Sequence, residues 1–211
     1  MKYRRIALVT CAIIGALAIE WPWLRSETAG PAAQPSALVP VQTTVAGGPF
    51  SLIDHRGKAV SHEDFQGHLV LMVFGYTFCP DVCPTILQRV AETLDLLGAR
   101  AAQVQPLFVT VDPERDTPEV LARYVGAFHP RLIGLTGSPD QVREITRNYR
   151  VYHAKAGAGD GDYLMDHSAY IYLLGADGRL LTYLRHDAAP EAIAAVIEPL
   201  LGQRTQTATA P

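Results

Sequence analysis

The apolar positions of this chain switch period repeatedly between residues 47 and 202, and each switch marks an element. Residues 68–76, HLVLMVFGY, form an unbroken apolar run of strand length, as expected of a strand covered on both faces. Residues 104–111 make a second buried run. Residues 84–97 instead place Ile86, Leu87, Val90, Leu94 and Leu97 at helical spacing, and Gly98 ends the helix. Thr117-Pro118-Glu119 opens another helix, with Thr as N-cap and Pro at N1, running to about Phe128. A short strand follows at 132–136. Ser138-Pro139-Asp140-Gln141 is then a capping box that starts a helix to about Asn148.

Three hairpins complete the pattern. Residues 50–54 and 58–61 flank Asp54-His55-Arg56-Gly57, and residues 151–154 and 163–165 flank a glycine-rich loop, AGAGDGD. Residues 169–174 and 180–185 are joined across Ala176-Asp177-Gly178. Residues 190–201 close the domain as a helix. The order predicts an α/β chain with a thioredoxin-like fold, an N-terminal hairpin and a hairpin insertion before the last strands. Parallel strands without alternation require helices on both faces of their sheet.

The ends read differently. Lys2, Arg4 and Arg5 precede an uncharged apolar run from residue 6 to 19, and Trp21 and Trp23 lie just beyond Glu20. A basic start, an apolar run and interfacial tryptophans predict export, with residues 1–24 retained as a membrane anchor. The run is short against the usual span of about 17–25 residues, and snorkelling arginines extend its reach. The competing reading is a signal peptide with a small-x-small cleavage site at Ala16-Leu17-Ala18. Cys11 lies inside the apolar run rather than after it, so it reads as a small apolar residue and not a lipidation site. Residues 25–46 form a flexible linker rich in Ala, Pro, Thr and Gly, and residues 203–211 a polar tail.

Composition narrows the function classes. With 211 residues, 48% hydrophobic and 18% charged, the chain can bury a full core without disulfide staples. The net charge is −3 and no basic stripe follows the first five residues, so nothing marks the chain for nucleic acid. Of its 3 cysteines, Cys79 and Cys83 remain after Cys11 is set aside. So short a loop constrains little of an unfolded chain, so the pair reads as chemical rather than structural.

Phe78-Cys79-Pro80-Asp81-Val82-Cys83-Pro84 falls where the first central strand gives way to a helix, the usual address of a site in an α/β sheet. Pro84 at N1 would put Cys83 at or beside the N-cap, where the helix dipole lowers a thiol pKa. The C-x3-C spacing departs from the C-x-x-C of thioredoxin-type redox motifs. Two thiolates are soft donors that favour Cu(I) or Zn(II), and they leave the ion short of a third ligand. His167, just ahead of the strand at 169–174, would complete the set, with Asp166 or Ser168 to fix its tautomer; the competing readings are a plain Cys79–Cys83 disulfide and a solvated loop histidine. Two sulfurs and one imidazole suit copper in both oxidation states. The other histidines, at 55, 62, 68, 129, 153 and 186, read as solvated surface residues, and Met165 as a core residue rather than a fourth donor. Asp112 reads either as a turn former or as a group facing the site, Asp116 as a cap for the next helix, and Tyr76 and Phe78 as walls of the site.

FGYTFCPDVCPT at 74–85, VTVDPERDTP at 109–118 and DHS at 166–168 resemble the Sco/SenC family of copper proteins over about residues 45–202. The resemblance implies copper on Cys79, Cys83 and His167. It also implies copper delivery, or reduction of thiols, in assembling the binuclear copper site of cytochrome c oxidase. The partners implied are the copper-site subunit, copper donor proteins and a thiol reductant. With the anchor, this places the domain at a bacterial inner membrane, facing the periplasm. A thiol-disulfide oxidoreductase acting on an acceptor's cysteines is the alternative function. A peroxidase is a weaker one, because no arginine lies between Cys79 and Cys83.

Overall fold

The computed structural model describes residues 38–39, 47–157 and 163–201. Its strands are β1 (Leu38–Val39), β2 (Ser51–Asp54), β3 (Ala59–Ser61), β4 (Leu69–Gly75), β5 (Val104–Thr110), β6 (Ile133–Thr136), β7 (His153–Ala156), β8 (Leu164–His167), β9 (Tyr170–Leu174) and β10 (Leu180–Arg185). The helices are α1 (Val82–Leu97), α2 (Pro118–Gly126), α3 (Pro139–Asn148) and α4 (Pro190–Leu201). Residues 1–24, Cys11, most of the linker, the tail from 203 and residues 158–162 of the glycine-rich loop lie outside the described residues. Among the described residues no helix is long and apolar enough to cross a membrane.

One sheet runs β1-β10-β9-β4-β5-β6-β2-β3. Its centre is parallel, β4 beside β5 beside β6, and β9 pairs antiparallel with β4. Every residue of β4 is buried, as its unbroken apolar run predicts for a strand covered on both faces. Helix α1 packs against α4, while α2 packs on β6. The chain is thioredoxin-like, with the N-terminal hairpin formed by β2 and β3.

The expected hairpin insertion is a separate two-stranded ribbon, β7 with β8. It runs further than its sequence suggests, so His167 ends a strand rather than lying in a loop. Ser168 closes it, giving its amide to the Tyr152 carbonyl and accepting the Tyr152 amide on its hydroxyl. Helix α1 likewise starts two residues earlier than Pro84 implies, with Asp81 as N-cap and Cys83 within the first turn. A proline is tolerated anywhere in that turn, where amides lack helical partners, so Pro84 marks the turn but not its first residue.

Candidate metal centre

The site lies at the carboxyl end of β4, where the chain turns through residues 76–81 into α1. This turn supplies Cys79, the first turn of α1 supplies Cys83, and the end of β8 brings His167 across from the ribbon. One donor atom from each lies within 4.8 Å of the others. Cys83 Sγ is 3.4 Å from His167 Nε2, and both cysteines are free thiols. The three predicted donors therefore converge, although 84 residues separate Cys83 from His167.

Gly75 makes room for this convergence. A Cβ at that position would sit 2.6 Å from Cys83 Sγ and 2.8 Å from Phe108 Cε2. Cys83 thus rests its sulfur against bare backbone and is wholly buried, while Cys79 stays partly exposed. Glycine in a strand often marks such an approach, a signal that the sequence contained in the run HLVLMVFGY.

The hydrogen bond between the two sulfurs reverses the expectation for the thiols. The Cys83 side chain gives its proton to Cys79 in a hydrogen bond, and this bond is the main reason that the Cys79 pKa falls to about 3. Desolvation opposes the fall, while His167 and the Cys83 and Asp81 amides add to it. The Cys83 pKa is pushed up, by the same bond and then by burial. Thiolate character therefore sits on Cys79, not on the cysteine in the helix turn, and hydrogen bonds rather than an arginine place it there.

His167 Nδ1 lies 3.0 Å from the Ser168 carbonyl oxygen. A carbonyl only accepts, so Nδ1 donates to it, and Nε2 is the nitrogen that faces the two sulfurs. The group that fixes the tautomer is thus the Ser168 backbone, while Asp166 is exposed. Tyr76 walls the site as expected, its ring edge-on to His167 at 5.8 Å. Phe78 is 58% exposed and lies under the guanidinium of Arg115.

Asp116 does not cap α2; Thr117 does, accepting the Val120 amide. Asp116 is buried and accepts from the Thr77 amide at 3.0 Å, the Thr77 hydroxyl at 2.5 Å and the Thr110 hydroxyl at 2.6 Å. It ties down the turn that carries Cys79. Asp112 is both turn former and network member. Its carbonyl accepts the Arg115 and Asp116 amides, and its carboxylate accepts from Arg115 and from Tyr163 Oη. Met165 is buried in the core, as expected. His55 and His129 are not merely solvated: their Nδ1 atoms accept the Gly134 and Arg131 amides, each at 3.1 Å.

The SCO1/SenC family model matches residues 40–202, well over half of the chain. The chain belongs to the SCO1/SenC family. It is 44% identical over 193 residues to the mitochondrial SCO2 homolog of Bos taurus, covering 90% of this chain and 73% of that protein. Among solved structures, copper-bound ScoI of Bradyrhizobium japonicum is 44% identical with a TM-score of 0.70, over 74% of this chain and 99% of that one. Copper-bound yeast Sco1 is 33% identical with a TM-score of 0.71, over 80% of this chain and 96% of that one.

Proposed function

We propose that this protein is a copper metallochaperone. It takes one copper ion on Cys79 Sγ, Cys83 Sγ and His167 Nε2 and delivers it to the copper-site subunit of cytochrome c oxidase. The convergence of these three donor atoms within 4.8 Å carries the reading, and the copper bound by two family members supports it. Thiolates are good ligands for Cu(I) and imidazole for Cu(II), so this donor set holds the cargo in either state. Cys79 already has thiolate character, which leaves chiefly the Cys83 proton to be released on loading. Cys79 is the exposed edge of the site, so an incoming donor of the acceptor displaces it first, and buried Cys83 lets go last.

Loading requires the dithiol, because a disulfide cannot bind Cu(I) through thiolates; a thiol reductant and a copper donor therefore act upstream. The N-terminal pattern supports anchorage at a bacterial inner membrane with the domain in the periplasm.

A second reading, a thiol-disulfide oxidoreductase, is favoured by one observation: a low-pKa, accessible Cys79 beside a protonated, buried Cys83. Cys79 would attack an acceptor disulfide to form a mixed disulfide. Cys83 would then attack Cys79, releasing the acceptor as a dithiol and leaving the pair oxidised.

Copper titration of the purified full chain separates the two. Wild type should bind one equivalent with thiolate-to-copper charge transfer. His167→Ala should lose stoichiometric binding while the Cys79–Cys83 couple still cycles. Unchanged copper affinity in that variant would remove the three-ligand reading.

A further inference from the structure

The two arms of the site belong to different parts of the fold. Cys79 and Cys83 sit on the β4–α1 junction of the main sheet, whereas His167 ends a ribbon that pairs with no strand of that sheet among the described residues. The chain ties the ribbon to β9 through Ser168 and Ala169 and buries Met165 in the core, and side chains add to this hold; several of their contacts come from one short loop, residues 112–116. Tyr163 Oη donates to Asp112 Oδ1 at 2.8 Å. Lys155 Nζ pairs with Glu114 at 2.7 Å. Arg115 Nη1 donates to the Tyr163 carbonyl at 2.9 Å.

Arg115 does more than the others, because it touches both arms. Its Cζ lies 3.7 Å from the centre of the Tyr163 ring on the ribbon. On the dithiol side it lies 4.7 Å from the Phe78 ring and 5.8 Å from the Tyr76 ring. Phe78 adjoins Cys79, and Tyr76 packs on His167 itself. Asp112 fixes the guanidinium plane through Nε, and Nη2 is buried with no hydrogen-bond partner among the described residues. A planar cation that stacks and donates at once suits this place, and lysine cannot reproduce both.

We infer that Arg115 is a positioning residue which locks the His167 ribbon against the dithiol turn and so sets the third ligand of the copper site. The inference rests on the copper reading above. Among the described residues no hydrogen bond or ion pair joins Arg115 to a ligand; it acts on His167 through Tyr163 and Tyr76.

The test uses the full chain with Arg115→Met, which keeps the stem but loses the charge and donors. Arg115→Lys is the milder companion, should the first fold poorly. Without metal, amide exchange across β7 and β8 should accelerate in both variants while β4 and β5 stay protected. With copper, the Cu(II) affinity should fall about tenfold or more, as for loss of a group that orients a ligand. The nitrogen coupling of His167 in the electron paramagnetic resonance spectrum should weaken. In a His167→Ala background, Arg115→Met should lower residual copper affinity by less than about twofold, because the ligand through which it acts is gone. Wild-type exchange and copper affinity in both variants would overturn the inference, as would fold-losses that multiply in the double variant. Failure of the wild-type chain to bind copper is a distinct result: it removes the copper reading and this inference with it.

Discussion

Replacing Gly75 with alanine adds one methyl group at the floor of the metal centre. Its carbon would stand 2.6 Å from Cys83 Sγ, 2.8 Å from Phe108 Cε2 and 3.3 Å from Phe108 Cζ. Ordinary contact needs about 3.5–4.0 Å, so the sulfur or the strand must give way by about 1 Å. Overpacking of this kind costs about 1–3 kcal/mol. Removing glycine from the unfolded chain offsets about 0.4–1 kcal/mol. The net loss, up to about 2.6 kcal/mol, lowers the midpoint of a domain this size by up to roughly 10 °C. Metal geometry tolerates only about 0.2 Å, so the same displacement should weaken copper binding far more than it weakens the fold. Thermal unfolding of the metal-free chain gives the first quantity, and copper titration followed by charge-transfer absorption gives the second. Cys83→Ala in the same background should recover part of the stability, since the nearest clash is with the sulfur. Wild-type stability together with a wild-type copper spectrum in Gly75→Ala would refute the reasoning.

Two further outcomes follow from the hydrogen bonds of the site. Asp116→Asn replaces an acceptor-only group that binds three donors, and should cost about 1–3 kcal/mol in chemical denaturation while speeding amide exchange at Thr77; unchanged exchange there would show that Asp116 does not hold the turn. Cys79, with a pKa of about 3, should be alkylated by iodoacetamide at pH 5 nearly as fast as at pH 8, whereas in Cys83→Ala the pH 5 rate should drop at least tenfold. The sign for stability is set too: between about pH 3 and the ordinary thiol range of about 8.5, the folded chain has released a proton that the unfolded chain keeps, so this group's contribution grows as pH rises. Ordinary thiol titration of Cys79 in the wild type would contradict both statements.

Much of this architecture was legible because its signals are local. The apolar runs of β4 and β5 have no polar face to hide, and Thr117 and Ser138 cap α2 and α3 through the bonds that their sequence contexts predict. The convergent candidate donors were legible as well, since a close cysteine pair outside any staple needs a chemical reason and two sulfurs leave room for a third ligand. What escaped is nonlocal. Asp116 beside Thr117-Pro118 looks like part of a helix start, yet its bonds run to Thr77, 39 residues away. Which cysteine holds the thiolate depends on the hydrogen bond between the two sulfurs, and no spacing encodes that. β8 is four residues with a mixed pattern, too short for periodicity to show that His167 belongs to a strand. Arg115 joins rings from two separate segments, which only the folded chain brings together.

The central claim concerns the atoms around the copper, so X-ray absorption at the copper edge of the loaded full chain tests it most directly. Two sulfur scatterers and one imidazole nitrogen should surround the metal, with one sulfur lost in Cys79→Ala or Cys83→Ala and the imidazole pattern lost in His167→Ala. A first shell without sulfur, or one that His167→Ala leaves unchanged, would contradict the account.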